Sequence, residues 1–138
     1  DSDLAAAHSH LGEVLVDLKD TKGALEAYKE AARLMPDDVG AWLNLGTAAR
    51  AHGSYGYAVT ATRKAVELSP FNAEIHLRLG NLLLELHRAT KEERFLTEAV
   101  DAWRASLKVD PSQRALQRRV EIYSRKTPTP TTQPTSGQ

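Results

Sequence analysis

The sequence predicts an all-α solenoid: three helix-turn-helix hairpins stacked in a right-handed superhelix and closed by a C-terminal capping helix. Three observations carry this. The dipeptides Leu11-Gly12, Leu45-Gly46 and Leu79-Gly80 recur 34 residues apart, and Ala24/Ala58 and Pro36/Pro70 keep the same period. Alanine, leucine, glutamate, lysine and arginine dominate, and no stretch alternates as a half-buried strand does. Proline closes each unit. Self-similarity of this length marks stacked supersecondary units, each too small to bury its own apolar face.

The first helix covers about 3–18, with Leu4, Ala7, Leu11, Val14, Leu15 and Leu18 at three- and four-residue spacing. Asp20-Thr21-Lys22-Gly23 interrupts it, and Ala24, Leu25, Tyr28, Ala31, Ala32 and Leu34 carry the second helix to Met35. Pro36 ends the unit, and Asp37 or Asp38 is placed to cap the next helix. Trp42, Leu45, Ala48 and Ala49 mark the third helix, which closes near His52-Gly53. Ala58, Thr62, Ala65, Val66 and Leu68 mark the fourth, which closes at Ser69-Pro70. Ile75, Leu79, Leu82, Leu83 and Leu86 form the fifth, and Phe95, Ala99, Trp103, Leu107 and Val109 the sixth, ending at Asp110-Pro111.

A last segment, about 112–125, puts Leu116, Val120 and Tyr123 on one stripe and Arg114, Arg118, Glu121 and Arg125 on another. A terminal helix needs such a charged outer face, because no further repeat covers it. The repeats therefore read as about 5–38, 39–72 and 73–113, with the capping helix over 112–126. Pro128, Pro130 and Pro134 block helix beyond it, so 127–138 reads as a proline- and threonine-rich tail or linker.

The third repeat is longer. Pro70 to Pro111 spans 41 residues, seven more than the period, and the surplus falls in Leu86–Thr97. Seven residues make about two helical turns. Both helices of that hairpin are expected to run on, with Phe95 and Leu96 packed beneath the projecting turn.

Lys and Arg number 18 and Asp and Glu 18, so the formal net charge is zero. A nucleic-acid or anionic-membrane binder would show a basic excess, and neither is expected as a partner. The charge is uneven, however: residues 1–38 carry a net of −5 and residues 112–138 a net of +4. No cysteine is present, so disulfides and thiolate chemistry are excluded. No apolar run reaches membrane-spanning length, so a soluble chain without membrane insertion is expected; the compartment stays open, with the cytoplasm favoured. The chain starts at Asp1 rather than methionine, which reads as a processed or excised piece.

Nothing in the sequence points to catalysis, a metal or a cofactor. His8 and His10 are two residues apart, about 200° around a helix, and cannot share a metal. His8 and His76 fall in packing slots of their repeats, and His52 and His87 at helix ends, where an imidazole can answer terminal carbonyls. Asp37-Asp38 and Glu92-Glu93 sit at helix starts, as capping requires. No phosphate-cradling loop, nucleophile elbow or zinc motif is present.

These residues resemble the tetratricopeptide repeat family, whose pattern is tryptophan, two residues, leucine-glycine, then alanine, an aromatic and proline at later spacings. The second repeat matches through Trp42, Leu45, Gly46, Ala58, Ala65 and Pro70. The first matches through Leu11, Gly12, Ala24, Tyr28, Ala31 and Pro36, with His8 in the tryptophan slot. The third matches through Leu79, Gly80, Ala99, Trp103 and Pro111, with His76 in that slot.

The resemblance implies that the first helices of successive hairpins line a concave groove that holds an extended peptide or protein segment. Its residues would then be Ser9, Leu43 and Leu77; His10, Asn44 and Arg78; Glu13, Thr47 and Asn81; Val16, Arg50 and Leu84; and Asp17, Ala51 and Glu85. The row of His10, Asn44 and Arg78 is the strongest candidate, since an amide both donates to and accepts from a peptide unit. Asn44 and Arg78 also match a clamp that relatives use for a C-terminal carboxylate. Ser9, Glu13 and Glu74 stand where that clamp has lysine, asparagine and lysine, so such a ligand is rejected.

The expected function is a non-catalytic interaction scaffold or adaptor. Two other readings stay open. One is a self-associating module, because Ala7, Val14, Leu18 and Ala32 are expected to form an apolar N-terminal edge facing a preceding repeat or a partner chain. The other is a regulatory segment of a larger enzyme.

Overall fold

The structure, a computed structural model, describes residues 2–127. The tail predicted over 127–138 lies outside them, Thr127 excepted. Seven helices follow in order: α1 (Ser2–Asp17), α2 (Thr21–Leu34), α3 (Val39–Ala51), α4 (Tyr55–Leu68), α5 (Ala73–Thr90), α6 (Glu93–Val109) and α7 (Arg114–Ser124). Each packs on the next in the chain, most extensively within the hairpins α1–α2, α3–α4 and α5–α6. The result is an all-α solenoid with no strand among the described residues.

The 34-residue register recurs in the atoms as well as in the letters. Asp38 Oδ1 accepts from the Ala41 N–H at 3.0 Å, and Asn72 Oδ1, one period on, from the Ile75 N–H at 3.3 Å. Asp20 caps α2 in the same way, accepting from the Gly23 N–H at 2.9 Å, so helix resumes earlier there than the interrupting residues imply. Trp42 Nε1 donates to the Pro36 carbonyl at 2.8 Å, and His76 Nε2 lies 2.7 Å from the Pro70 carbonyl. A carbonyl only accepts, so the imidazole carries its proton on Nε2. His76 thus keeps the ring donor that tryptophan supplies in this slot.

Each Leu-Gly pair marks the point where a hairpin closes. A Cβ on Gly12 would come within 2.8 Å of the Tyr28 ring, and one on Gly46 within 2.9 Å of Thr62 Oγ1. A Cβ on Gly80 would overlap the Trp103 ring. Tyr28, Thr62 and Trp103 are therefore equivalent positions. Trp103 is fully buried, whereas Trp42, in the family's tryptophan slot, is half-buried at the edge of the core.

The third hairpin is longer than the second. α5 has 18 residues against 13 in α3, and α6 has 17 against 14 in α4. Leu96 is buried beneath the extension, with Phe95 partly buried beside it. The cap also packs as expected, with Leu116 buried and Val120 and Tyr123 against the core.

Three expectations need correction. Ala32 is not on the exposed N-terminal edge: it is buried in the shared core, and the edge consists of Leu4, Ala7, Leu11, Val14 and Leu18. His52 answers no helix carbonyl, because its Nδ1 meets the Thr21 hydroxyl at 3.1 Å across the turn. His87 Nδ1 does meet a carbonyl, at 2.9 Å, but that of Glu92, the residue that starts the following helix. Helix α1 buries only Ala5 and Gly12, whereas α5 buries six residues.

Three substitutions test this packing. Trp103→Ala is expected to cost about 3–5 kcal/mol through the cavity it leaves. Gly80→Ala is expected to cost about 1–3 kcal/mol, because the added methyl meets the indole and the Ala99 carbonyl. Gly56→Ala faces open space in α4 and should stabilise by about 0.5–1 kcal/mol. Urea unfolding of the three variants against the parent checks the order.

Candidate functional site

A cleft of about 530 Å³ opens between α3, α4, α5 and α7. It brings together Leu43, Thr47, Arg50, Arg78, Asn81 and Glu85 from the predicted groove, with Leu84 from the same registers. A second cleft, about 370 Å³, lies where α1, α2 and α3 meet and holds Ser9, His10, Glu13 and Asn44. Asp17 and Leu77 line neither, and Val16 and Ala51 are exposed outside both. The row of His10, Asn44 and Arg78 is thus divided, with Arg78 in the larger cleft and the other two in the smaller.

Charge pairing organises the larger cleft. Arg50 from α3 holds Glu85 from α5 through both carboxylate oxygens, at 3.0–3.1 Å. The hydrogen bonds and charge of Glu85 raise the guanidinium's affinity for its proton further. Arg78 Nε donates to Glu74 Oε1 at 3.1 Å, one turn back on α5. Asn81 Oδ1 accepts from Trp103 Nε1 at 3.2 Å and from Arg119 Nη1 at 2.8 Å. Its amide nitrogen has no partner among the described residues.

Several lining residues escaped the sequence reading. Arg119 and Tyr123 come from α7, which resumes the repeat register after the seven-residue surplus: Gln117 Nε2 donates to the Pro111 carbonyl at 2.6 Å, as Trp42 does to Pro36. Arg119 sits over the Trp103 ring, 5.4 Å from its centroid, and Tyr123 tilts against the same ring at 5.4 Å. Arg88 lies on the extra turn of α5. Gly46 and Thr62 complete the floor. Thr62 left a trace in the sequence, since comparing positions 28, 62 and 103 shows one small residue between two aromatics.

The smaller cleft differs in character. It carries Glu13 and Asp38, and the nearby Tyr28 phenol is held neutral above its usual range by burial and by the charges of Glu13 and Asp17. Among the described residues no group of histidine or acidic side chains could hold a metal ion, and no helix is long and apolar enough to cross a membrane.

Exposed ion pairs contribute little to stability. Glu85→Gln is therefore expected to change the unfolding free energy by less than about 1 kcal/mol, read by urea titration. The same variant makes the cleft more cationic.

The model of the tetratricopeptide repeat matches residues 10–73 and 43–106. The small glutamine-rich tetratricopeptide repeat-containing protein 2 of Mycosarcoma maydis is 29% identical over 120 residues, which cover 86% of this chain and 32% of that protein. The chain thus spans about a third of the curated relative's length. Among solved structures, the N-terminal domain of stress-induced protein-1 from C. elegans superposes with a TM-score of 0.74 at 22% identity, covering 89% of this chain and 96% of the other. The first TPR of Spaghetti (RPAP3), bound to the HSP90 peptide SRMEEVD, gives 0.72 at 17% identity, with 91% and 94% covered.

Proposed function

The chain belongs to the tetratricopeptide repeat family, and on that premise we propose that it is a non-catalytic scaffold or adaptor holding an extended peptide or protein segment along α3 and α5. The observation that carries this reading is the larger cleft, where polar and cationic side chains from α3, α5 and α7 converge over an apolar floor. Such concave sites with a few oriented polar groups are where ligands are held. The fold's occurrence with a bound peptide in Spaghetti supports it. Asn44 would grip backbone from the adjoining cleft, and Arg78 would meet acidic groups.

Both residues are exposed, so their loss should leave stability nearly unchanged. Asn44→Ala is expected to weaken binding of the natural partner by about 1–3 kcal/mol, and Arg78→Glu by a similar amount. Calorimetric titration of partner captured with the full-length protein measures both. A double Asn44/Arg78 variant that binds normally would sink the groove reading.

A second reading is favoured by the apolar stripe on α1. Leu4, Leu11, Val14 and Leu18 are between 46% and 71% exposed, more apolar surface than one helix usually shows to water. Self-association through this edge predicts a sedimentation coefficient that rises with concentration and stops rising in Leu11→Glu.

A further inference from the structure

The middle hairpin lacks the aromatic that its two neighbours share. Tyr28 covers Gly12 in the first hairpin and Trp103 covers Gly80 in the third, but Thr62 faces Gly46 in the second. Gly46 of α3 is therefore covered by a much smaller side chain, and Gly46 and Thr62 both line the larger cleft. This substitution hollows the groove at its middle.

The chemistry of the hollow indicates its guest. Its floor is apolar, with Leu43, Leu82 and Leu84 beside Gly46. Thr47 donates its hydroxyl to the Leu43 carbonyl at 2.9 Å, and Thr62 to the Ala58 carbonyl at 2.9 Å. Neither hydroxyl has a hydrogen left for a ligand, so the floor offers methyl groups and weak acceptors. A volume of about 530 Å³ is ample for one large side chain and lies within the ~300–1,000 Å³ of ordinary ligand sites.

The rim carries four arginines. Arg50 is paired with Glu85 and Arg78 with Glu74, but Arg88 and Arg119 have no carboxylate partner among the described residues. The rim thus has two cationic groups to spare over the apolar floor.

We infer that the cleft is a side-chain pocket for one bulky apolar residue within an internal, acidic peptide segment. The bulky residue fills the space over Gly46 and Thr62 where the neighbouring hairpins place their own aromatic, and carboxylates beside it meet Arg88 and Arg119. The inference rests on the peptide-binding reading and specifies its ligand. A C-terminal carboxylate plays no part in it.

The test is selection from a displayed library of random peptides with free carboxyl termini excluded. The parent protein should enrich peptides that combine a large apolar residue with neighbouring Asp or Glu. A synthetic peptide from the enriched set, with its terminus amidated, then serves as the probe. Thr62→Tyr, which supplies the aromatic that the other hairpins already accommodate, should weaken that probe about tenfold or more. Arg88→Glu should weaken it and flatten its dependence on salt. Thermal melting confirms that each variant is folded, and Arg88→Glu, at an exposed position, remains informative if Thr62→Tyr does not fold. Enrichment without acids, or binding untouched in a folded Thr62→Tyr, overturns the inference while leaving a peptide-binding groove intact. Binding that returns only with a free terminal carboxylate also overturns it. No enrichment by the parent protein overturns both readings.

Discussion

Within each hairpin the glycine of a Leu-Gly pair lies directly against a side chain of the second helix. Glycine is required there because any Cβ would collide with that side chain. The spacing of the two axes follows from this contact, and stacking of successive hairpins through α2–α3 and α4–α5 follows from the spacing. What covers the glycine then decides the groove's relief. Tyrosine and tryptophan cover it in the first and third hairpins and the smaller threonine in the second, so one contact bears on both the packing of the solenoid and the relief of its groove.

Much of the architecture was legible because repetition amplifies weak signals. A single Leu-Gly pair says little, but three in register fixed every hairpin, and seven surplus residues located the longer helices of the third. Trp42 matches the family pattern, yet the sealed indole is Trp103, because burial depends on how α6 is covered by α5 and α7 rather than on repeat position. The expected binding row was also divided, since a register places residues along one axis and says nothing of where neighbouring helices interrupt the surface. Arg119 and Tyr123 were missed for a different reason: α7 resumes the register 41 residues after α5 rather than 34, so the row of His10, Asn44 and Arg78 continues at Arg119.

Electrostatics grades the molecule from end to end. The first 38 residues carry a net charge of −5, and the acids there include Glu13 and Asp38 of the smaller cleft. The last 27 carry +4, and Arg119 of the larger cleft comes from that basic stretch. Between them, two exposed ion pairs join the second hairpin to the third, Arg50 with Glu85 and Arg63 with Glu98, each linking residues 35 apart. Such pairs add little free energy but hold charge in place. A ligand crossing the face would meet an acidic start and a basic finish, which favours one direction of the bound chain over the other.

The contrast between α1, with two buried residues, and α5, with six, has a consequence for motion. In a stack where each unit leans only on its neighbours, opening need not be all-or-none, and it begins where the fewest contacts must be given up. Amide hydrogens of α1 should therefore exchange with solvent through local fraying, long before those of α5 and α6 are released by global unfolding. The molecule thus has a firm centre and a looser helix at either end, since α7 buries only Leu116. Helix α1 forms one wall of the smaller cleft, so a partner lying across both clefts would damp its fraying and register as slower exchange there.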